Sequence, residues 1–457
     1  MTAQVFLATT LYGAATLAAA LRSGLFGDRR AHRRLLVVGN TASRPELSVP
    51  LDEMTGFGAI AGEFDARHSW NATIAPYHPS DWAPRPADAA LWERMLRRAW
   101  DLGDGPVEVA CESIQVSPAR ALATIFADAP VHIYADGLMS YGPTRNGVPP
   151  ELSTRLRRLL HPVLVPGLRP LLLSEHGVEQ VAIPGEHVQG VLSAIGSAGA
   201  GVLERSLPAG PPPTAVLLGQ YLSALGLITE AEEEDLHARM LRGAAARGHA
   251  SVLFKPHPTA PARIAGALER TARELGVRLT VSETPLLAET LFAHLRPRLV
   301  VGCFSTALMT AATLYGVPTA RVGTELLLER ITPYQNSNRV PLTIVDALLP
   351  DLEDPGVPVT APDLSPGAVS DRLAPLVRAV GYCMQSARYP ELRDETAALL
   401  RARLPEDRRY FKRRRLTALD LPGSAPGRAR ILRRNPTVRR AVRLARSLRP
   451  APARTCR

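Results

Sequence analysis

An α/β protein built from two Rossmann-like halves is what this sequence predicts, and three observations carry the expectation. Short β-rich runs alternate with stretches of helical periodicity. The alternation is broken once, by the proline-rich run SLPAGPPP at residues 206–213, and then restarts. The 457 residues, 46% hydrophobic and 21% charged, supply enough apolar material for two cores and exclude a disordered or fibrous chain.

The apolar opening, residues 2–26, has no basic residue before Arg22 and is interrupted by Thr9, Thr10 and Tyr12, unlike an export signal. It predicts a buried first strand over residues 4–8, a turn through Gly13 and a helix from Ala14. Residues 35–39, 107–111, 131–134 and 171–173 read as further strands, with a helix opened by Ser117 as cap and Pro118 in its first turn. After the break come a strand at 215–218, a helix with a Thr229/Glu232 capping box, a strand at 252–254, a helix after Pro261, a strand at 299–301 and a helix after Ser305. The expected units are therefore 1–205, 214–400 and a tail, 401–457.

The tail is set apart by charge. From residue 401 onward there are 19 Lys+Arg against 3 acidic residues, so the formal net charge of +11 becomes −5 over the first 400 residues. A mildly acidic body argues against nucleic acid as partner, while the tail suits a polyanion. Val438, Val442, Ala445 and Leu448 fall on one helical face with arginines opposite, the pattern of a helix lying on an anionic membrane surface. A solvated tail, or one gripping an anionic polysaccharide, fits the same composition. No run reaches the length of a membrane span, and four dispersed cysteines form neither a zinc motif nor a disulfide framework. The expectation is a cytoplasmic protein, at most peripheral at the inner face of the membrane.

Ligands of open α/β sheets sit beyond the carboxyl ends of the strands, which selects three places. Asp136-Gly137 follows a strand; a carboxylate there can act as general base on a hydroxyl, although an Asp-Gly pair is also an ordinary turn. Lys255-Pro256-His257-Pro258 follows another, and its lysine and histidine suit an anionic leaving group. Lys255 stands out because only Lys412 is a second lysine among 54 basic residues. Ser305-Thr306 opens a helix, where hydroxyls and free N–H groups make an anion site, or where Ser305 merely caps. Glu289 could accept from a ribose diol, and Gly219-Gln220, after the first strand of the second half, could line the same cleft. There is no GxGxxG, no GxxxxGK[ST] and no cluster pointing to a metal or a resident cofactor.

The order Asp-Gly, Lys-x-His-Pro, Ser-Thr, together with LLGQYLSALGLITEAEEEDL at 217–236 and VVGCFSTALMTAATLYGVP at 300–318, resembles the bacterial sialyltransferases of GT-B fold, and most closely the alpha-2,8-polysialyltransferase family. That resemblance implies a GT-B enzyme without cofactor that takes a CMP-sugar such as CMP-sialic acid as donor and a glycan as acceptor. It implies Asp136 as base, His257 on the phosphate of the leaving cytidine monophosphate, and Lys255 near the nucleotide. Pro258, Gly219 and Gln220 would line the donor site, Ser305 and Thr306 would hold phosphate oxygens, and Glu289 would hold the ribose. One departure is Ala135, which stands where the family carries a first acidic residue. A CDP-glycerol-type GT-B polymerase and a non-catalytic binder of polyanionic glycans are the readings from other classes.

Overall fold

Two fully parallel sheets organise the computed structural model, which describes residues 2–257, 260, 263–282 and 284–425. The first contains β1 (Thr2–Ala8), β2 (His32–Val38), β3 (Ala66–Ser69), β4 (Val107–Cys111), β5 (Val131–Tyr134), β6 (Leu156–Pro162) and β7 (Glu179–Ile183), in the order β3-β2-β1-β4-β5-β6-β7. The second contains β8 (Ala215–Leu218), β9 (Ser251–Lys255), β10 (Arg278–Val281), β11 (Leu299–Gly302) and β12 (Thr319–Arg321), in the order β10-β9-β8-β11-β12. Both are doubly wound, one in each half of the chain. Central strands such as VFLA and AVLL are apolar on both faces because helices cover both sides of a parallel sheet.

The strand order reverses between β1 and β4 in one sheet and between β8 and β11 in the other. Val5 pairs with Leu35 on one side and Val109 on the other, and Val109 in turn with Val131, which aligns the carboxyl ends of β1, β4 and β5 along one edge. Crevices open at such reversals.

Several boundaries differ from the sequence expectation. The first helix begins at Leu11, not Ala14, because Thr10 accepts the Gly13 N–H at 2.9 Å and caps it; Gly13 lies inside the first turn. Ser117 caps nothing: the helix is Ala119–Ile125, and Pro118 is its flanking residue. Residues 171–173 are not a strand. They form a loop, buried because Leu171 and Leu173 pack into two different cores, so burial there mimics a strand. β3, β6, β7, β10 and β12 carry too little apolar alternation to be read in advance; β3 is ARHS. The capping box is present, with the Thr229 N–H donating to Glu232 at 2.8 Å.

The boundary at 401 needs correction. It falls inside the Arg393–Asp407 helix, and the chain continues through a second helix, Arg413–Leu419. Tyr410, Phe411, Leu416 and Leu421 are buried in the core of the second half. Tyr334 donates to the Tyr410 carbonyl at 2.9 Å, and Tyr410 donates to Asp346 at 2.8 Å. Counting charge over the whole stretch hides these spaced apolar residues. The stripe from Val438 to Leu448 lies outside the described residues. Among the described residues no helix is long and apolar enough to cross a membrane.

Candidate active site

Asp136 stands two residues beyond β5, at the wall of a cavity of about 440 Å³ whose lining includes Glu112, Asp136, Gly137, Arg145, Thr306 and Ser337. The residue is half-buried, while its carboxyl group is enclosed by protein. Burial first, and the Glu112 carboxylate second, push its pKa up to about 7. Glu112 is the residue that leaves β4, the strand beside β5. It accepts the Thr9 hydroxyl at 2.5 Å, and burial raises its pKa too. Sequence reading passed over Glu112, although the same strand-end rule that selected Asp136 points to it.

The two halves meet at this wall. A Cβ on Gly137 would come within 3.0 Å of the Thr306 hydroxyl oxygen, so the approach depends on glycine. The Leu138 N–H donates to that same oxygen at 3.3 Å. Thr306 opens the Thr306–Tyr315 helix, and two further hydrogen bonds tie that helix to the first half: Thr313 donates to the Leu164 carbonyl, and Gln189 to the Leu314 carbonyl, each at 2.8 Å. Ser305 is the cap of the helix and accepts the Ala307 N–H at 3.3 Å. Thr306 thus reaches the Asp136 cavity and Ser305 does not line it.

Gly219, Gln220, Lys255 and His257 gather at the carboxyl ends of β8 and β9, with Glu289 brought near Lys255 by the Ala288–Leu295 helix. The Gly219 N–H donates to the Lys255 carbonyl at 2.9 Å, and a Cβ on Gly219 would press to 3.0 Å of the Phe254 ring and 3.3 Å of the Pro256 backbone. The Gln220 side-chain oxygen accepts the Phe304 N–H at 2.7 Å, joining the β8 and β11 exits across the strand-order reversal. Burial lowers the Lys255 pKa, opposed by the nearby Glu289 carboxylate. Glu289 is 4% exposed, not a solvated helical glutamate; burial raises its pKa, and it accepts the Thr310 hydroxyl at 2.8 Å. His257 is exposed at the rim, yet partial desolvation of its ring and then the Lys255 ammonium lower its pKa, with Glu233 opposing. Both groups are thus pushed toward their neutral forms, Lys255 by burial and His257 by desolvation and the neighbouring ammonium. Pro258 lies outside the described residues.

Three further residues were invisible to sequence reasoning. Glu233 is fully buried and accepts the Leu222 N–H at 2.5 Å and the Ser223 N–H at 3.0 Å, which fixes the loop after Gln220. Tyr12, from the first helix, is close enough to Glu289 and to Asp136 to feel both charges, and its buried hydroxyl has no hydrogen-bond partner among the described residues. Tyr315 likewise faces Glu289 with a buried hydroxyl that has no partner among the described residues. Tyr12 therefore links the Asp136 side to the Glu289 side, a relation that only the packing of the two halves creates.

The arrangement can do base chemistry on one wall and bind an anion on the other. A carboxylate of near-neutral pKa sits on the first half. Hydroxyls, an ammonium and a histidine come from the second. No curated protein matches the sequence. Among solved structures, a sialyltransferase from Photobacterium damselae, residues 113–497 corresponding to the GT-B domain, is 12% identical over 76% of this chain and 96% of its own, with a TM-score of 0.41. A UGT transferase from Siraitia grosvenorii in complex with UDP is 12% identical over 86% and 100%, with a TM-score of 0.42. The alpha-2,8-polysialyltransferase family model matches residues 4–324. That span runs from β1 to the start of the Thr324–Arg330 helix and contains both sheets and every residue selected above, so this chain belongs to the alpha-2,8-polysialyltransferase family of sialyltransferase-like glycosyltransferases.

Proposed function

We propose that the protein moves sialic acid or a related nonulosonate from a CMP-sugar to a glycan hydroxyl, by direct inverting attack and without a metal ion. The observation that carries this reading is a carboxyl group, Asp136, whose pKa of about 7 suits a general base at neutral pH, on a cavity wall that the opposite half closes with Thr306. Asp136 takes the proton of the acceptor hydroxyl as its oxygen attacks the anomeric carbon. The bond from that carbon to the phosphate oxygen breaks, and its electron pair leaves on cytidine monophosphate. Lys255 supplies positive charge on the leaving-group side and His257 a hydrogen bond, with Ser305, Thr306 and Gln220 lining the donor site and Glu289 accepting from the ribose. The basic tail would carry peripheral contact with an anionic membrane surface.

Purified protein with CMP-sialic acid and a set of glycan acceptors, with product mass measured, tests the reading. Asp136→Asn is expected to lower kcat by ~10² to 10⁴ with donor affinity little changed. Chelators are expected to have no effect. Turnover near wild type in the variant, or strict dependence on added Mg²⁺ or Mn²⁺, would overturn it.

A further inference from the structure

We propose that Glu112 is the positioning partner of Asp136, a second carboxylate supplied by the neighbouring strand that shares one proton with the base and fixes its orientation toward the acceptor hydroxyl. The inference rests on the assignment of Asp136 as base.

Three observations carry it. β4 and β5 pair in register with Cys111 opposite Ile133, so Glu112 and Asp136 leave adjacent strands on the same edge of the sheet. Both line the one cavity that Thr306 of the second half also reaches. Ala135, the residue before Asp136, packs against the apolar core of the first half, so no carboxylate comes from that position. Glu112 accepts the Thr9 hydroxyl at 2.5 Å and lies beside the buried Tyr134 hydroxyl, whose single proton goes to the Leu7 carbonyl at 3.1 Å. Placement by a β1 exit residue and a β5 side chain leaves little freedom for the Glu112 carboxyl. The groups that face the pair from the surrounding elements are Tyr12 of the first helix, Cys111 and Tyr134, with Arg155 on the Cys111 side and Arg145 on the cavity wall.

Two carboxylates sharing an enclosed site cannot both ionise cheaply, so the pair holds one shared proton up to near-neutral pH and titrates as a unit. The raised pKa of both carboxyl groups agrees with this. In the reaction that last proton has left, Glu112 stays ionised, and Asp136 receives the proton of the acceptor hydroxyl. Nothing beyond donor and acceptor is consumed.

The test is the pH profile of kcat/KM, whose acidic limb reports the base in the free enzyme. Glu112→Gln removes the charge while leaving an oxygen for the Thr9 hydroxyl. The limb is expected to move to lower pH by at least about one unit, and kcat on the plateau to fall about 3- to 10-fold as the base weakens, with donor KM unchanged. Glu112→Asp, which keeps the charge, is expected to return the limb toward its wild-type position. A purely structural role would lower kcat without moving the limb. A Glu112→Gln profile that superimposes on wild type overturns the inference. If Asp136→Asn abolishes turnover in the same series, the assignment of the base survives that result; if Asp136→Asn stays active, the base assignment fails and the inference with it. Should Glu112→Gln not fold, ¹³C-carboxyl NMR of Glu112 in the wild-type protein and in Asp136→Asn decides the matter. A lower titration midpoint in the variant supports the shared proton, and an unchanged midpoint refutes it.

Discussion

At Asp136 stability and catalysis compete for one carboxyl group. Burial raises its folded pKa to about 7, from an ordinary value of 3.8. A raised folded pKa means that the native state binds the proton more tightly than the unfolded chain does, so wild-type stability is highest below the unfolded value and declines as pH rises through about 7. Asp136→Asn carries no such titration. It is expected to match wild type near pH 4 and to exceed it by about 1 to 3 kcal/mol at pH 8, a range set below the full linkage because the site is coupled and partly open. Chemical denaturation at the two pH values checks this. A variant that gains stability and loses turnover would mark the carboxyl as strained in the service of function, and equal stability at pH 8 would mean that the group is not held toward its protonated form. Among the other site residues, Lys255 and Glu289 offset each other in burial, which explains how a lysine can be retained below the surface.

The Thr306–Tyr315 helix is the element on which two roles of its first residues can be separated. Ser305 caps it, and a cap lost to alanine costs about 1 kcal/mol, whereas glycine at the cap costs only a few tenths. Ser305→Ala is therefore expected to destabilise the protein by that amount and Ser305→Gly to restore most of it. The hydroxyl is absent from both variants. If it also holds a donor phosphate, donor KM or kcat/KM should worsen in both, by the equivalent of roughly 1 to 3 kcal/mol for a lost hydrogen bond to a charged group. Kinetics that recover with glycine, in step with stability, would leave Ser305 as a cap alone. Thr306 differs because its oxygen accepts the Leu138 N–H across the two halves.

For the whole molecule, the question is where the folded body ends. Cutting after Arg401 would remove the buried Tyr410, Phe411, Leu416 and Leu421, each worth roughly 1.5 to 3 kcal/mol of burial, and would take the acceptor from the Tyr334 hydroxyl and Tyr410 and Arg409 from Asp346. That truncation is expected to aggregate or to melt far below the full chain. Cutting after Ala425 removes 11 arginines and no acidic residue. It is expected to leave the melting temperature and activity on a short acceptor unchanged while abolishing salt-sensitive sedimentation with anionic vesicles. Equal sedimentation of the full chain and the 425-residue form would refute the membrane role. Loss of short-acceptor activity in that form would show instead that the segment contributes to the catalytic halves.

What the sequence by itself determined is local. Strand and helix periods, the Thr229/Glu232 box and the placement of Asp136, Lys255 and Ser305 at strand ends all follow from residues within a few positions of one another. Polar strands such as ARHS escaped because their pairing is decided by neighbours in the sheet. The loop at 171–173 misled because burial from two cores looks, in one dimension, like a strand. Only tertiary structure decided that Glu112 stands with Asp136, that Thr306 closes on Gly137 and Leu138, and that Tyr12 lies within reach of both Asp136 and Glu289. The physical reason is range. Strand order sets which exits become neighbours, and the charge that a carboxyl holds depends on the solvent and the charges excluded or admitted by groups more than a hundred residues away, as Thr9 and Glu112 are from each other.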